Sequence, residues 1–347
     1  MSTSRILSEC PNIQAPLGEL FLEVGQREQL PFLEYILSPE NASMITMQVS
    51  PGRGKLRTVE ARWIQRLPET EVEEGGDPLS CTATSIYGDS TQTYTLETTD
   101  NYIWSQLISA DEIARHCQEN SRYILESVMR GMDTIERKVA TAAATQTAAQ
   151  IGKWGTEVEG FYTVTGDNLI LPTLTTGDGL AELSFYDVQQ AARMANYPGP
   201  VVGFGGAAFE RYARTIQAGC CTQNGMDLSE VARQFGFSFA YDQRLATALG
   251  GQSYNIVTTN GAIQWLSFNF ANWNEGTPFQ IGTNYAKTLV FSPAGVPIDL
   301  TMKDDCGNLS ITMVAIGKIV TLPNDIYEAS DKYAGVNYVN GLRVVNP

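Results

Sequence analysis

A long helical periodicity limits the folds open to this chain more than any other feature of its sequence. Ser109 and Glu112 form a capping box. Beyond them, apolar residues recur at spacings of mostly three and four as far as Gln150. A helix from Ala110 to Gln150 would be roughly 60 Å long at about 1.5 Å per residue. Most globular helices are far shorter, so the pattern predicts one dominant helix, with a bend expected at Gly131.

The segment before this helix has the pattern of a projecting hairpin. From Ser50 to Trp104 the apolar residues alternate, most clearly in Arg57–Gln65 and Gln92–Glu97. The stretch between them, Pro68–Pro78, is acidic and contains glycine, as a flexible tip does. Because an isolated two-stranded hairpin is at best marginally stable in water, we expect this one to pack on a partner.

The first 49 residues are irregular and interrupted by prolines. One short apolar periodicity, Leu17–Val24, predicts a brief helix. The remainder is interpreted as an extended arm with little core of its own, of the kind that lies on a neighbouring subunit.

The chain after the long helix returns to strands and then enters an α/β region. We predict a β segment over Phe161–Leu171 with its turn at Gly166, and a second β region from Thr288 to Leu322. The tail Pro323–Pro347 is polar and is interpreted as loop. Between the two β regions the patterns predict strands Pro200–Phe204 and Tyr254–Thr259, and helices Ser184–Asn196, Gly206–Ala218, Asp227–Phe235 and Ala262–Trp273.

Composition and charge argue against a disordered protein and against a nucleic-acid-binding protein. Hydrophobic residues make up 43% of the chain, as in a folded domain. The net charge is −15, with 23 Lys and Arg against 38 Asp and Glu. The densest basic stretch, Arg53–Arg66, is interpreted as protein contacts or solvated loop, not as the basic stripe that nucleic-acid binding requires.

Location is also constrained by the sequence. No apolar run reaches the length of a membrane span, and the N-terminal residues lack the pattern of a secretory signal. We therefore expect synthesis in the cytosol. The six cysteines include no Cys-x-x-Cys pair and are expected to be reduced thiols.

Few residues offer catalytic or ligand-binding chemistry, and we predict no catalytic residue, cofactor or metal. His116 is the only histidine and lies within the predicted helix. Asp304 and Asp305 are interpreted as part of a solvated turn. Gly203–Ala208 fits the loose dinucleotide-binding pattern G-x-G-x-x-A after a strand. No acidic residue ends a second strand at the required distance, so a tight turn is favoured, and a nucleotide-dependent soluble enzyme is kept as the alternative.

The order of these parts resembles the Hong Kong 97-type major capsid proteins of tailed phages. Three segments are similar in amino-acid sequence to parts of such proteins: Leu183–Met194, Tyr254–Leu266 and Pro297–Cys306. The resemblance implies an α+β fold with the following layout: N-terminal arm 1–49, E-loop hairpin 50–105, first part of the P-domain 106–182 with spine helix 110–150, A-domain 183–285, and P-domain return strands with C-terminal tail 286–347.

The same resemblance implies a structural function, not an enzymatic one. Hexamers and pentamers of the chain would form an icosahedral head around double-stranded DNA without specific binding. Partners would be a separate scaffolding protein, a portal and decoration proteins, with assembly in the host cytoplasm and no membrane. Lys55 and Lys153 carry no crosslinking motif, and an encapsulin-like cargo shell is a second alternative. The residues assigned to assembly are Arg57, Trp63, Tyr94, Trp104, Trp265, Phe268, Phe270 and Trp273.

Overall fold

A computed structural model describes fifteen parts of the chain. They are residues 28–38, 46–50, 57–63, 90–96, 98–109, 111, 120–150, 162–166, 168–170, 188–194, 201–207, 237–268, 285–305, 308–321 and 342–345. The chain divides into two units: unit 1 comprises Met1–Leu37, Leu96–Ala143 and Trp265–Lys318, and unit 2 comprises Ser38–Thr95, Ala144–Gln264 and Ile319–Pro347.

The fold contains both helices and sheets, in agreement with the coarser part of the predicted fold class. The helices are α1 (Pro31–Leu37), α2 (Asn120–Gln150) and α3 (Gln243–Leu249), with a 3₁₀ turn at Thr98–Asp100 and helical backbone at residues 111 and 188–194. The strands are β1 (Thr46–Ser50), β2 (Arg57–Trp63), β3 (Ser90–Leu96), β4 (Asn101–Ile108), β5 (Val164–Thr165), β6 (Asn168–Ile170), β7 (Val201–Gly205), β8 (Phe237–Tyr241), β9 (Tyr254–Thr259), β10 (Ile263–Phe268), β11 (Tyr285–Phe291), β12 (Pro297–Asp305), β13 (Asn308–Thr321) and β14 (Leu342–Val345).

The predicted long helix is confirmed as α2. Its buried residues keep the expected spacing of three and four, since Ile124, Val128, Ile135 and Val139 are each at most 2% exposed. Residues 112–119, which include His116 and Cys117, lie outside the described part of the chain.

An antiparallel sheet lies at the centre of unit 1. Its strand order is β10-β13-β12-β11, and β4 pairs with β13 as well. The register joins Ile108 to Leu309 and Asn101 to Ile316, across some two hundred residues of sequence. The predicted β region from Thr288 to Leu322 is thus confirmed. Burial alternates along the first half of β13, as expected for a strand whose two faces meet different surroundings.

Gly131 marks the place where α2 approaches this sheet most closely. A Cβ at Gly131 would collide with the Met313 methyl group and lie 2.6 Å from Cε3 of Trp104. Met313 and Trp104 are register partners on β13 and β4. The glycine therefore has a packing role that the sequence did not reveal, where only a bend was expected.

Gly131→Ala is expected to lower the free energy of unfolding by about 1 to 2 kcal/mol. Alanine gains about 1 kcal/mol of helix propensity, but overpacking against both the indole and the thioether costs about 2 to 3 kcal/mol, in the upper part of the usual range. Urea denaturation measures the difference. Thr134→Ala, an exposed change on the same helix, is the control and is expected to be neutral or slightly stabilising. A Gly131→Ala protein as stable as the parent would contradict the close approach.

A buried carboxylate connects α2 to the turn between β11 and β12. Glu136 is 1% exposed, and its Oε2 accepts a hydrogen bond of 3.0 Å from the Ala294 backbone N–H. The turn is closed further by a bond of 2.9 Å from the Ser292 N–H to the Val296 carbonyl. Gly295 has φ of +91°, which favours glycine.

The expected arm is not irregular throughout. Helix α1 contributes Phe32, Leu33 and Ile36 to the core, each at most 4% exposed. Pro31 stands at the first helical position, where its fixed φ is favourable. The expectation of little core is therefore wrong for this segment, whose seven residues are too few for a clear periodicity. The predicted helix Leu17–Val24 lies outside the described residues.

The predicted two-stranded hairpin is in fact part of a three-stranded sheet. Its order is β1-β2-β3, and β1 pairs antiparallel with β2 from Thr46↔Arg62 to Ser50↔Thr58. The first strand thus begins before Ser50, and Trp104 belongs to β4 in the other sheet. The predicted tip Pro68–Pro78 lies outside the described residues.

Unit 2 contains a mixed sheet of six strands. Its order is β5-β6-β14-β9-β7-β8. The strands predicted over Pro200–Phe204 and Tyr254–Thr259 are confirmed as β7 and β9, and the turn at Gly166 joins β5 to β6. Helix α3 packs against β7 and β9. The tail predicted as loop contributes β14, so that prediction is wrong for Leu342–Val345.

The predicted helix Ala262–Trp273 is wrong over its described part, because Ile263–Phe268 forms strand β10. Five of its six residues are buried, so no alternation was visible in the sequence. The missed signal is Asn260-Gly261, a typical tight-turn dipeptide. Gly261 has φ of +81°, and the Ala262 N–H donates to the Thr259 carbonyl at 3.2 Å.

Candidate assembly surface

Strand β4 presents apolar side chains to solvent on one face. Ile103 is 65% exposed and Leu107 is 56% exposed. Ser105, between them, is exposed as well, whereas Ile108 on the opposite face is fully buried. Period-two alternation explains the division, since successive side chains of a strand point to opposite faces. Trp104 lies on the face that meets α2.

The exposed face continues onto β13 and β12. Val314, Thr312 and Ser310 are the register partners of Ile103, Ser105 and Leu107, and all three are partly exposed. Lys303 on β12 follows beside Ser310 and is exposed. We name Ile103, Ser105, Leu107, Ser310 and Thr312 the β4 face.

Hydroxyl and aliphatic groups dominate the β4 face, and these groups suit burial against another protein surface. β13 is the only strand paired with β4 among the described residues. An exposed edge strand with apolar side chains is a template for association. The β4 face brings together no pairing of nucleophile and base, so its chemistry is that of contact.

The residues assigned to assembly from the sequence fall into different environments. Trp265 and Phe268 are each 5% exposed, so they have almost no surface to offer a partner. The Trp265 ring lies 6.2 Å from the Tyr102 ring, and a Cβ on Gly317 would be 2.6 Å from its Nε1. Their burial within the single chain disfavours direct contact of these two side chains with neighbours, and the assignment of the stretch Trp265–Trp273 to assembly stays a prediction.

Other predicted assembly residues stay predictions. Trp104 is half-buried beside α2. Arg57, Trp63 and Tyr94 lie on β2 and β3, where only the backbone is described, and Phe270 and Trp273 lie outside the described residues. Ile103 and Leu107 were missed, although the alternation around Trp104 is visible in Asn101–Ile108. The period-two pattern up to Trp104 predicts the end of the hairpin and not a strand of a second sheet.

Electrostatic features near β4 are modest. Lys318 Nζ lies 3.8 Å from Asp100 Oδ2 at the start of the strand. Partial burial raises the pKa of Tyr102, and the nearby Asp100 carboxylate raises this pKa further. This ion pair and the Tyr102 hydroxyl therefore lie at the start of β4, away from Leu107.

The backbone N–H groups in the glycine motif considered for nucleotide binding have hydrogen-bond acceptors within unit 2. The Gly206 N–H donates to Asn255 Oδ1 at 3.0 Å and to the Tyr254 carbonyl at 3.1 Å. The Ala207 N–H donates to Gln252 Oε1 at 3.0 Å. A phosphate site at a helix N-terminus needs such N–H groups to point at the ligand. Here side chains of the same chain occupy them, so the geometry opposes the nucleotide alternative.

We expect no saturable binding of ATP or NAD by the purified protein. Isothermal titration should place any dissociation constant above about 1 mM, where the binding free energy is smaller than about 4 kcal/mol. Binding at micromolar concentration that is lost in Gly206→Ala would restore the enzyme alternative.

In the described part of the chain, no group of three or more His, Cys, Asp or Glu is placed to hold a metal ion. Among the described helices, none has the length and hydropathy needed to cross a membrane.

Comparison with known proteins places the chain among distant structural neighbours. No protein-family model and no curated protein matches the sequence. The cyanophage A-1(L) capsid is similar at TM-score 0.49, with 10% identity over 92% of this chain and 92% of that chain. The capsid of cyanophage P-SCSP1u gives 0.43, with 10% identity over 93% and 90%. The capsid of Myoviridae phage XM1 gives 0.41, with 10% identity over 93% and 94%.

All three neighbours are bacteriophage capsid proteins. Each match covers more than 90% of this chain. Because the TM-scores lie below 0.5, the likeness by itself assigns no function to the chain.

Proposed function

We propose that this chain is a major capsid protein that assembles into hexamers and pentamers of an icosahedral phage head. The supporting observation is the order in which the chain connects the strands and the long helix of unit 1. Strand β4 leads to the long helix α2, and the chain returns much later through β11, β12 and β13, where β13 pairs with β4. This is the order expected for a P-domain with spine helix, interrupted by an inserted A-domain over residues 183–285.

The exposed β4 face supports an assembling function on physical grounds. Ile103 and Leu107 keep more than half of their surface exposed to water in the single chain. Burial against a partner would stabilise an assembly by roughly 25 cal/mol for each Å² of apolar surface removed from water. Permanent assemblies bury large, mostly apolar areas, which several such contacts supply together.

The acidic charge of the chain fits the proposed contents of the head. A net charge of −15 disfavours tight adhesion of phosphates to the protein. In this proposal the shell encloses double-stranded DNA without binding it specifically. A scaffolding protein, a portal and decoration proteins remain the proposed partners, with the virion as the location.

The experiment that tests this function is expression of the full chain, followed by light scattering and negative-stain microscopy. We expect capsomers or megadalton shells, with scaffolding protein added if the chain alone stops at capsomers. A chain that stays monomeric under both conditions would overturn the proposal. Shells that retain a host enzyme and no DNA from a packaging extract would indicate the cargo-shell alternative.

Charge placed on the β4 face is expected to weaken assembly without unfolding the chain. The double variant Ile103→Lys and Leu107→Lys should raise the critical concentration for assembly at least about tenfold, equivalent to about 1.4 kcal/mol. Light scattering against concentration measures this change, and circular dichroism checks the fold. Thr141→Lys, on the exposed side of α2, is the matched control. Equal critical concentrations for the two variants would remove the β4 face from the interface.

A further inference from the structure

A strand from the end of the sequence lies in the middle of the six-stranded sheet. β14 pairs parallel with β6, from Arg343↔Asn168 to Val345↔Ile170. On its other side it pairs antiparallel with β9, from Leu342↔Val257 to Val345↔Tyr254. Both neighbours are distant from it in sequence, and residues 322–341 separate it from β13.

Without β14 the sheet would consist of two parts that do not pair. One part is the hairpin of β5 and β6, whose strands have two and three residues. Such a hairpin is too short to be stable alone. The other part is β9-β7-β8, in which β9 would become an open edge. Five of the six residues of β9 are buried, among them Ile256 and Val257, so this edge would expose buried side chains together with unpaired backbone groups.

The gap between β6 and β9 is therefore a site for an extended peptide. Backbone hydrogen bonds on both sides would supply affinity, as in other cases of strand addition. A strand that fills this gap must form extended backbone and pack beside the buried side chains of Leu169 and Ile256. The sequence Leu342-Arg-Val-Val345 meets this requirement, because branched aliphatic residues favour strands.

We propose that in the assembled state this site accepts β14 from a second copy of the chain. An exchanged strand makes the same pairing as the strand of the same chain and also joins two subunits. The segment 322–341 spans up to about 70 Å when extended, at about 3.3 to 3.6 Å per residue. The inference rests on the proposed function for the closeness of copies, which raises their effective concentration.

Disulfide trapping tests the exchange. Leu342 and Val257 are antiparallel register partners, and such partners have Cα atoms about 4.5 to 5.5 Å apart, within the range that a disulfide spans. One chain carries Leu342→Cys and the other Val257→Cys. After the two chains are mixed, co-assembled and oxidised, we expect covalent dimers on a non-reducing gel. A chain carrying both changes should give a ladder of linked subunits.

Controls separate exchange from adventitious oxidation of the six native cysteines. Each single variant alone gives the background. Leu342→Cys mixed with Thr258→Cys is the matched control, because neighbouring residues of β9 point to opposite faces. If the double variant forms only an intrachain bond and the mixture yields no dimer above background, the exchange does not occur.

The two proposals fail separately. Shells without interchain disulfides would overturn strand exchange and leave the capsid function intact. Interchain disulfides in a small oligomer that never forms shells would support exchange and count against the capsid function.

Discussion

Gly206→Ala is expected to destabilise unit 2 by about 3 kcal/mol or more, at the upper end of the cost of overpacking. A Cβ at Gly206 would overlap the Gln252 carbonyl and lie 2.7 Å from the Gln252 Cα. Because both atoms are backbone, rotation of a side chain cannot relieve the overlap. Any shift would also strain the bonds from the Gly206 and Ala207 N–H groups to Asn255 and Gln252.

Gly251→Ala provides the comparison for this effect. Gly251 has φ of +139°, but a Cβ there would meet nothing within 4 Å. The Gly251→Ala substitution therefore costs only backbone strain, of order 1 to 3 kcal/mol. The Gly206→Ala substitution adds a steric collision with backbone atoms. Urea denaturation, together with hydrogen exchange of β7 and β9, measures both. If Gly206→Ala proved no worse than Gly251→Ala, the close approach of the two backbone segments would be wrong.

This comparison also bears on the function of the glycine motif. A nucleotide site would require Gly206 for ligand approach, so its substitution would lower affinity and leave stability nearly unchanged. Our structure gives the opposite expectation, a loss of stability with no affinity to lose. The same glycine pattern thus has a purely structural explanation, which only the position of Gln252 reveals.

Helices and strands whose apolar residues recur at a regular spacing could be predicted from the sequence. Ile124, Val128, Ile135 and Val139 recur on one side of α2, and this spacing is sufficient to place the helix without knowledge of its neighbours. The strands β11 to β13 were equally visible. Long regular segments carry many consistent residues, so an error in one does not change the prediction.

Short or doubly buried segments could not be predicted. β10 is buried on both faces, and its aromatic residues gave no alternation that would separate a strand from a helix. β14 has four residues and depends on β6 and β9 for its hydrogen bonds. Its stability comes from distant partners, which no local pattern encodes.

The candidate surface was predicted only in part for a related reason. Aromatic residues were assigned to contacts because interfaces are rich in them, yet Trp265 fills the space left by Gly317. Ile103 and Leu107 are exposed because they lie opposite Trp104 on β4. Which of two strand faces meets the helix depends on a pairing between residues two hundred positions apart.

Glu136→Ala is expected to lower the free energy of unfolding by about 2 to 4 kcal/mol, the combined cost of an orphaned buried donor and a cavity. The Ala294 N–H would lose its acceptor, and both groups are buried. The effect should concentrate at the turn Ser292–Val296, whose other hydrogen bonds are local.

The Glu136→Gln variant distinguishes the stability that comes from the hydrogen-bond acceptor from the stability that comes from the charge. The amide oxygen can still accept from Ala294, while hydrogen bonds to charged groups are stronger by about 1 kcal/mol than neutral ones. We therefore expect glutamine to recover most of the stability lost with alanine. Denaturation midpoints and hydrogen exchange at the Ala294 amide measure the two effects. Equal losses for alanine and glutamine would mean that the stability depends on the carboxylate itself and not on the hydrogen bond to the turn.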